Sequence, residues 1–365
     1  MRIGSLCTGY GGLDHAVQAV LGGELVFVAD PDPGAAKILN HHHPDVPNLG
    51  DITQIDWSTV EPIDILTAGY PCQPFSSAGL RKGTKDDRHI WPHIAHALGV
   101  LRPRLVVLEN VRGHLGRGFD TVLADLARLG FDAEWATLAA ADVGAAHRRE
   151  RLFIIAWPQS ARPPAAGDGG AGVVVPDGVM LLPTPRTSDT NGPGHHGEGG
   201  LDLRTAVSLL PTPAARDWRS GQSNILDRNA RPLNEVIENL LPTPRASDGT
   251  KGGPNQRGSK GDLMLSAAVQ PGRWGDYTEA VSRWARVVGR SAPDPVVPSG
   301  KGGRSRLDPV FTEWLMGLPE GHVTSPQVGL TRTQQLHALG NGVVPRQGAA
   351  ALRLLLERVA AEVAA

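Results

Sequence analysis

Strands and helices alternate along the first 157 residues, and few folds accommodate that order. Residues 2–8 form a short apolar run that ends in Gly9-Tyr10-Gly11-Gly12, after which Leu13, Val17, Val20 and Leu21 recur at helical spacing. Glu24 to Ala29 is β-branched and aromatic and reads as a second strand, and residues 34–42 read as a helix. Residues 63–68 predict a third strand stopped by Gly69, and 90–101 a helix in spite of Pro92. Arg104 to Leu108 reads as a buried strand, 119–129 as a helix and 151–156 as another strand. Such an order implies an α/β fold, a mostly parallel sheet with helices on both faces, built from right-handed crossovers. Ligands of such sheets bind outside the carboxyl ends of the strands. Four features fall there: the glycine cluster, Asp30, Pro71-Cys72 and Glu109-Asn110.

Composition explains why the pattern stops. Residues 160–306 hold 38 Gly and Pro in 147 positions, against 37 in the other 218, so regular elements are interrupted there. The same stretch carries 18 basic and 14 acidic side chains, whereas the rest carries 18 and 23, which turns its positive side toward an anionic partner. Two cysteines exclude a disulfide scaffold and imply a reducing compartment. No apolar run is long enough to span a membrane, and Met1-Arg2-Ile3-Gly4-Ser5 does not open a signal peptide, so a cytoplasmic chain is expected.

The breaker-rich stretch contains a repeat. Leu-Leu-Pro-Thr-Pro occurs at 181–185, 209–213 and 240–244, each copy followed by a polar segment with an aspartate. A Pro-x-Pro step cannot sit inside a helix or a central strand, so each copy punctuates the chain. Either the copies are a duplicated loop without consequence, or they are a repeated unit that contacts DNA.

The residues at the strand ends point to chemistry. The glycine cluster is a poor dinucleotide fingerprint, because Asp14 stands where close helix packing needs Gly or Ala. Asp30, 19 residues after Gly11, is placed to accept from ribose hydroxyls, so a nucleoside without a pyrophosphate satisfies both facts. Cys72 lies between Pro71 and Gln73-Pro74 on a rigid turn, a geometry that presents a nucleophile, and Arg149 and Arg151 are cations able to favour its thiolate. Glu109 follows a buried strand, where desolvation raises its affinity for a proton and suits it to general acid work. No Cys/His set has zinc spacing; His41-His42-His43 reads as a helix end, and no metal is expected.

Six segments in order resemble the motifs of the DNA (cytosine-5) methyltransferases. They are Leu6 to Asp14, Gly50-Asp51-Ile52-Thr53, Pro71-Cys72-Gln73, Glu109-Asn110-Val111, Arg149-Glu150-Arg151 and Gly340 to Pro345. The resemblance implies an S-adenosylmethionine-dependent methyltransferase fold: a catalytic domain over 1–157, a smaller irregular target-recognition region over 158–303 and a C-terminal return over 304–365. By the same resemblance, Cys72 adds to carbon 6 of a cytosine flipped from duplex DNA, Glu109 donates to nitrogen 3, and Arg149 and Arg151 align the base. Gly9, Gly11, Gly12, Leu13, Asp30, Asp51, Ile52, Pro71 and Asn341 would line the S-adenosylmethionine pocket. Gln73, Ser76, Arg81 and Lys82 would contact DNA from a closing loop. Double-stranded DNA is the expected partner, with no membrane, a monomeric chain and a restriction–modification setting. The departures are these: Cys7 replaces a usual Phe; Asp30 replaces the commoner Glu, and Pro31 follows where an aromatic is frequent, with Trp91 the candidate to compensate; His147 replaces a usual Gln; and Gly342 replaces a usual Ser or Ala. A non-catalytic DNA-binding relative, a nicotinamide dehydrogenase and an RNA methyltransferase are the alternatives; intact Cys72, Glu109, Arg149 and Arg151 disfavour the first and Asp14 the second.

Overall fold

The computed structural model describes residues 1–71, 90–164, 240–249, 257, 264–269, 274–299 and 304–364. In chain order it begins β1 (Arg2–Leu6), α1 (Gly12–Leu21), β2 (Glu24–Ala29), α2 (Pro33–His42), β3 (Ile65–Gly69) and α3 (Trp91–Leu101). It continues β4 (Leu105–Val111), α4 (Phe119–Arg128), β5 (Phe131–Leu138) and β6 (Arg151–Pro158). After these come a short helix α5 (Leu265–Ala268), α6 (Thr278–Val288), the hairpin strands β7 (Val296–Ser299) and β8 (Arg304–Leu307), α7 (Pro309–Leu315), α8 (Arg332–Asn341) and α9 (Pro345–Ala364).

Six strands form one sheet in the order β2-β1-β3-β4-β6-β5, with the first four parallel and β6 antiparallel to both its neighbours. The mostly parallel α/β expectation holds. β5 had no counterpart in the sequence reading, because Phe131–Leu138 mixes Asp132, Glu134 and Trp135 on an edge strand exposed along one side. Pro92 does not disturb α3: it lies in the first turn, where its missing N–H has no helical acceptor to lose.

Strand periodicity divides the apolar side chains between two layers. Leu66, Ala68, Val106, Leu108, Leu152 and Ile154 pack with Trp91, Ile94 and Leu98 of α3 and Val122 and Leu126 of α4. Ile3, Ile65, Leu105, Val107 and Ile155 pack on the other face with Val17 and Val20 of α1 and Leu352, Leu355 and Val359 of α9. The last helix thus sits beside the first on the sheet. A third core, with Trp284, Phe311, Trp314, Leu336 and Leu339, joins α6, α7 and α8 to Tyr10 and to Leu241.

Two polar devices fix α1 to this frame. Asp14, 1% exposed, accepts from Ser5 Oγ on β1 at 3.0 Å and from Thr67 Oγ1 on β3, and burial pushes its carboxyl up to about 6. Tyr10 donates from Oη to Val343 O at 2.7 Å, so the loop before α9 closes over the start of α1. Gly342 owes its identity to that tyrosine. A Cβ there would lie 1.8 Å from the Tyr10 ring, which occupies the space a serine or alanine would need.

Gly342→Ala is therefore expected to destabilise the chain by about 1–3 kcal/mol, by overpacking alone. Thermal melts of Gly342→Ala, Tyr10→Leu and the double variant test this. The penalty of the alanine should shrink in the Tyr10→Leu background, and an equal penalty in both backgrounds would remove Tyr10 as its cause.

Candidate active site

Every parallel strand ends on one edge of the sheet, and β6, running the opposite way, begins there. β1 passes into Cys7-Thr8-Gly9, where Cys7 and Gly9 both adopt left-handed backbone (φ 52 and 59). The N–H of Gly9 donates to Asp30 Oδ2 at 2.8 Å and that of Asp32 to Asp30 Oδ1 at 2.9 Å, tying the ends of β1 and β2 together. Each Asp30 oxygen retains lone-pair capacity for a further donor. Burial raises the affinity of this carboxyl for a proton, and the two backbone N–H groups oppose that. Beyond Gly9 and Gly50, which also has positive φ, a Cβ would meet nothing within 4 Å, so backbone faces open space at both places.

The other expected pocket residues divide. Asp51 is exposed and accepts from Thr53 N; Asn341 is exposed at the end of α8, with Nδ2 3.3 Å from His337 Nε2. Leu13 and Ile52 belong to the two sheet cores, and Gly12 is required by packing, since a Cβ there would lie 2.2 Å from Val343 O. Trp91, the candidate for the aromatic missing at Pro31, is 2% exposed, packs beside Tyr70 and donates to Asp125 Oδ2 at 2.9 Å.

Gly69 pairs with Glu109 across β3 and β4, so the chain leaves for Pro71 beside that carboxylate. Cys72, Gln73, Ser76, Arg81 and Lys82 lie outside the described residues. Asn110 Nδ2 donates to Tyr70 O at 3.3 Å, which fixes the end of β3 one residue before Pro71. Tyr70 Oη is 2.9 Å from His114 Nε2. Neither Tyr70 nor His114 was singled out in the sequence, because a single Tyr and a single His carry no spacing signal.

Glu109, 6% exposed, meets Arg151 Nε at 2.9 Å. Burial raises the proton affinity of Glu109, against the nearby guanidinium groups of Arg151 and Arg149, which lower it. Arg149 is more deeply held. Its guanidinium donates to Pro244 O at 3.3 Å, to Gly340 O at 3.2 Å and to Gly342 O, while its backbone N–H donates to Thr243 Oγ1 at 3.1 Å. Gln347 Nε2 reaches Arg149 O at 2.8 Å. Burial lowers the Arg149 guanidinium to about 9, so it stays charged at neutral pH. His147, fully buried with Nε2 3.0 Å from Leu315 O, is pushed down to about 3 by burial and is neutral. Pro242 to Pro244 belong to the third Leu-Leu-Pro-Thr-Pro copy, which is thus engaged with the turn that leads into β6.

This architecture is the methyltransferase fold. The chain superposes on the crystal structure of S. pombe Dnmt2 methyltransferase (TM-score 0.56, 16% identity, covering 98% of this chain and 99% of that one). It also superposes on a putative DNA modification methyltransferase encoded within a prophage of E. coli (TM-score 0.51, 17% identity, 98% and 99%). Residues 1–172 match the C-5 cytosine-specific DNA methylase family. Type II methyltransferase M.NlaIV of Neisseria lactamica is 35% identical over 143 residues, 36% of this chain and 34% of that protein. M.NgoMIV of Neisseria gonorrhoeae is 30% identical over 180 residues, 45% and 57%. The matched stretch thus spans about a third of the first of these relatives and over half of the second.

If Arg151 holds Glu109 in check, Arg151→Gln should raise the carboxyl's titration midpoint, because a cation that favours the carboxylate is gone. Carbon-13 NMR of carboxyl-labelled glutamate, with Glu109→Gln assigning the signal, reads this directly. An unchanged or lowered midpoint would contradict the pairing.

Proposed function

We propose that the chain is a DNA (cytosine-5) methyltransferase that uses S-adenosylmethionine. The observation that carries the reading is the buried Glu109–Arg151 pair at the edge where β3 hands the chain to Pro71-Cys72. A carboxyl whose affinity for a proton is raised by burial, at the strand end from which the chain runs to an expected thiol nucleophile, is the donor set that cytosine chemistry at carbon 5 requires.

Carbon 5 of cytosine is a weak nucleophile until carbon 6 is substituted. In this reading the Cys72 thiolate adds to carbon 6 while Glu109 gives its proton to nitrogen 3, leaving carbon 5 enamine-like. Arg151 orients the carboxyl of Glu109, and Arg149 braces the strand that carries Arg151. Loss of the carbon 5 proton and expulsion of Cys72 release the product. A stacked base cannot reach such an edge, so the target cytosine must be flipped out.

The cofactor fits the residues present: the open backbone at Gly9 and Gly50, and Asp30 with acceptor capacity left. Asp30 would take the ribose hydroxyls, Asp51 the adenine side, and Pro71 and Asn341 the methionine end. S-adenosylmethionine supplies the electrophilic methyl group when bound. Cys7 cannot stand in as nucleophile, since burial pushes its thiol up to about 12. Residues 158–303 are assigned to target recognition, with Gln73, Ser76, Arg81 and Lys82 meeting DNA, in a monomeric cytoplasmic enzyme of the restriction–modification kind.

Transfer of tritiated methyl groups to duplex DNA should disappear in Cys72→Ser and fall by about 10²–10⁴ in Glu109→Gln, with DNA binding retained. Full activity in Cys72→Ser would overturn the assignment. Binding should weaken steeply with salt, because basic side chains of 160–306 meet phosphates; a flat dependence would assign that surface to something other than DNA.

A further inference from the structure

The copy of the repeat at 240–248 is seated in a defined slot. Leu241 N donates to Ala146 O at 2.8 Å and pairs as a β-bridge with His147. Thr243 Oγ1 accepts from the Arg149 N–H, and Pro244 O from its guanidinium. Asp248 Oδ2 accepts from Arg245 N at 2.8 Å, closing a turn. The backbone of Ala246 lies so close to Gly340 that a Cβ on the glycine would be 2.1 Å from Ala246 N. Gly340 is thus the floor of the slot.

The other copies preserve what this seat uses. Residues 181–189 and 240–248 are identical at eight of nine positions, with Thr187 where Ala246 stands. Residues 209–217 keep both leucines, both prolines, the threonine and the final aspartate. Leu241, Pro244 and Asp248, the three fully buried positions of the seated copy, are the same in all three. Positions 245 and 247, which differ in the middle copy, are exposed or partly buried. What all three copies share is the set of residues that bury and bond in the seat, whereas the exposed position of Arg245 is alanine in the middle copy.

We propose that the slot lined by Ala146, Arg149, Gly340 and Thr333 is a docking site for a Leu-Leu-Pro-Thr-Pro-x-x-x-Asp segment, and that residues 181–189 of the same chain exchange with 240–248 in it. The tether allows it. β6 runs about 26 Å away from the slot at roughly 3.3 Å per residue, and the 23 residues from Pro158 to Leu181 can span about 75 Å. Tethering of this kind gives a competing segment an effective concentration in the millimolar range. Exchange would leave the catalytic edge intact while changing which stretch of the 158–303 region leaves the slot on either side.

Thr333 is exposed and lies against Gly249, the residue after the seated segment. A benzophenone-bearing amino acid in place of Thr333, in the full chain at high dilution, therefore reports the occupant. Irradiation and mass mapping of the monomer should find cross-links to residues 181–191 as well as 240–250. Asp189→Ala should remove the first set and keep the second, and Asp248→Ala should enrich the first. Cross-links confined to 240–250, or a set at 181–191 that persists unchanged in Asp189→Ala, would overturn the exchange and return the other copies to DNA contact.

Discussion

A buried guanidinium must find acceptors for its donors or surrender its charge, and Arg149 finds three carbonyls on two separate segments of chain. Its partners are carbonyls of Pro244, Gly340 and Gly342, and its own carbonyl and N–H are held by Gln347 and Thr243. Removing one side of such an arrangement leaves unpaired buried polar groups, at about 3–5 kcal/mol for a buried charge. The turn before β6, the third repeat, the end of α8 and the start of α9 are consequently one unit. Arg151, two residues on, is aimed at Glu109 by the strand this unit begins.

The same edge shows how polar burial sets chemistry elsewhere. Asp14 joins α1 to β1 and β3 through two hydroxyls, and Asp30 closes the glycine turn through two N–H groups. In each case a carboxylate is taken from water and given donors, so the loops between strands and helices are held from beneath. The open surface that remains above Gly9 and Gly50 is where an incoming group meets backbone directly.

Much of this was legible in the amino-acid order. Strand periodicity, glycine stops and the residues at the carboxyl ends gave the α/β sheet and placed Asp30 and Glu109 on one edge, because period-2 burial and breaker residues are local properties. β5 was not legible, since an edge strand exposed on one side carries charges where a buried strand carries valines. Nor were the roles of Gln347 and Thr243: their partners lie between 94 and 209 residues away along the chain and exist only once α9 and the third repeat are in place. Arg149 was legible as a functional arginine but not as a brace, because the three carbonyls it binds have no side-chain signature. Gly342 is instructive in the other direction. Its departure from the resembled pattern is explained by Tyr10, a contact across more than 330 residues.

The account rests on one covalent step at one of two cysteines. Duplex DNA carrying 5-fluorocytosine at the methylated position blocks the final loss from carbon 5, so the enzyme–DNA adduct should persist in the presence of S-adenosylmethionine. Mass spectrometry of the digested chain should then find the modified base on the peptide containing Cys72 and none on that containing Cys7, whose thiol is held protonated by burial. An adduct on Cys7, or no adduct under conditions where methyl transfer to unmodified DNA proceeds, would contradict it.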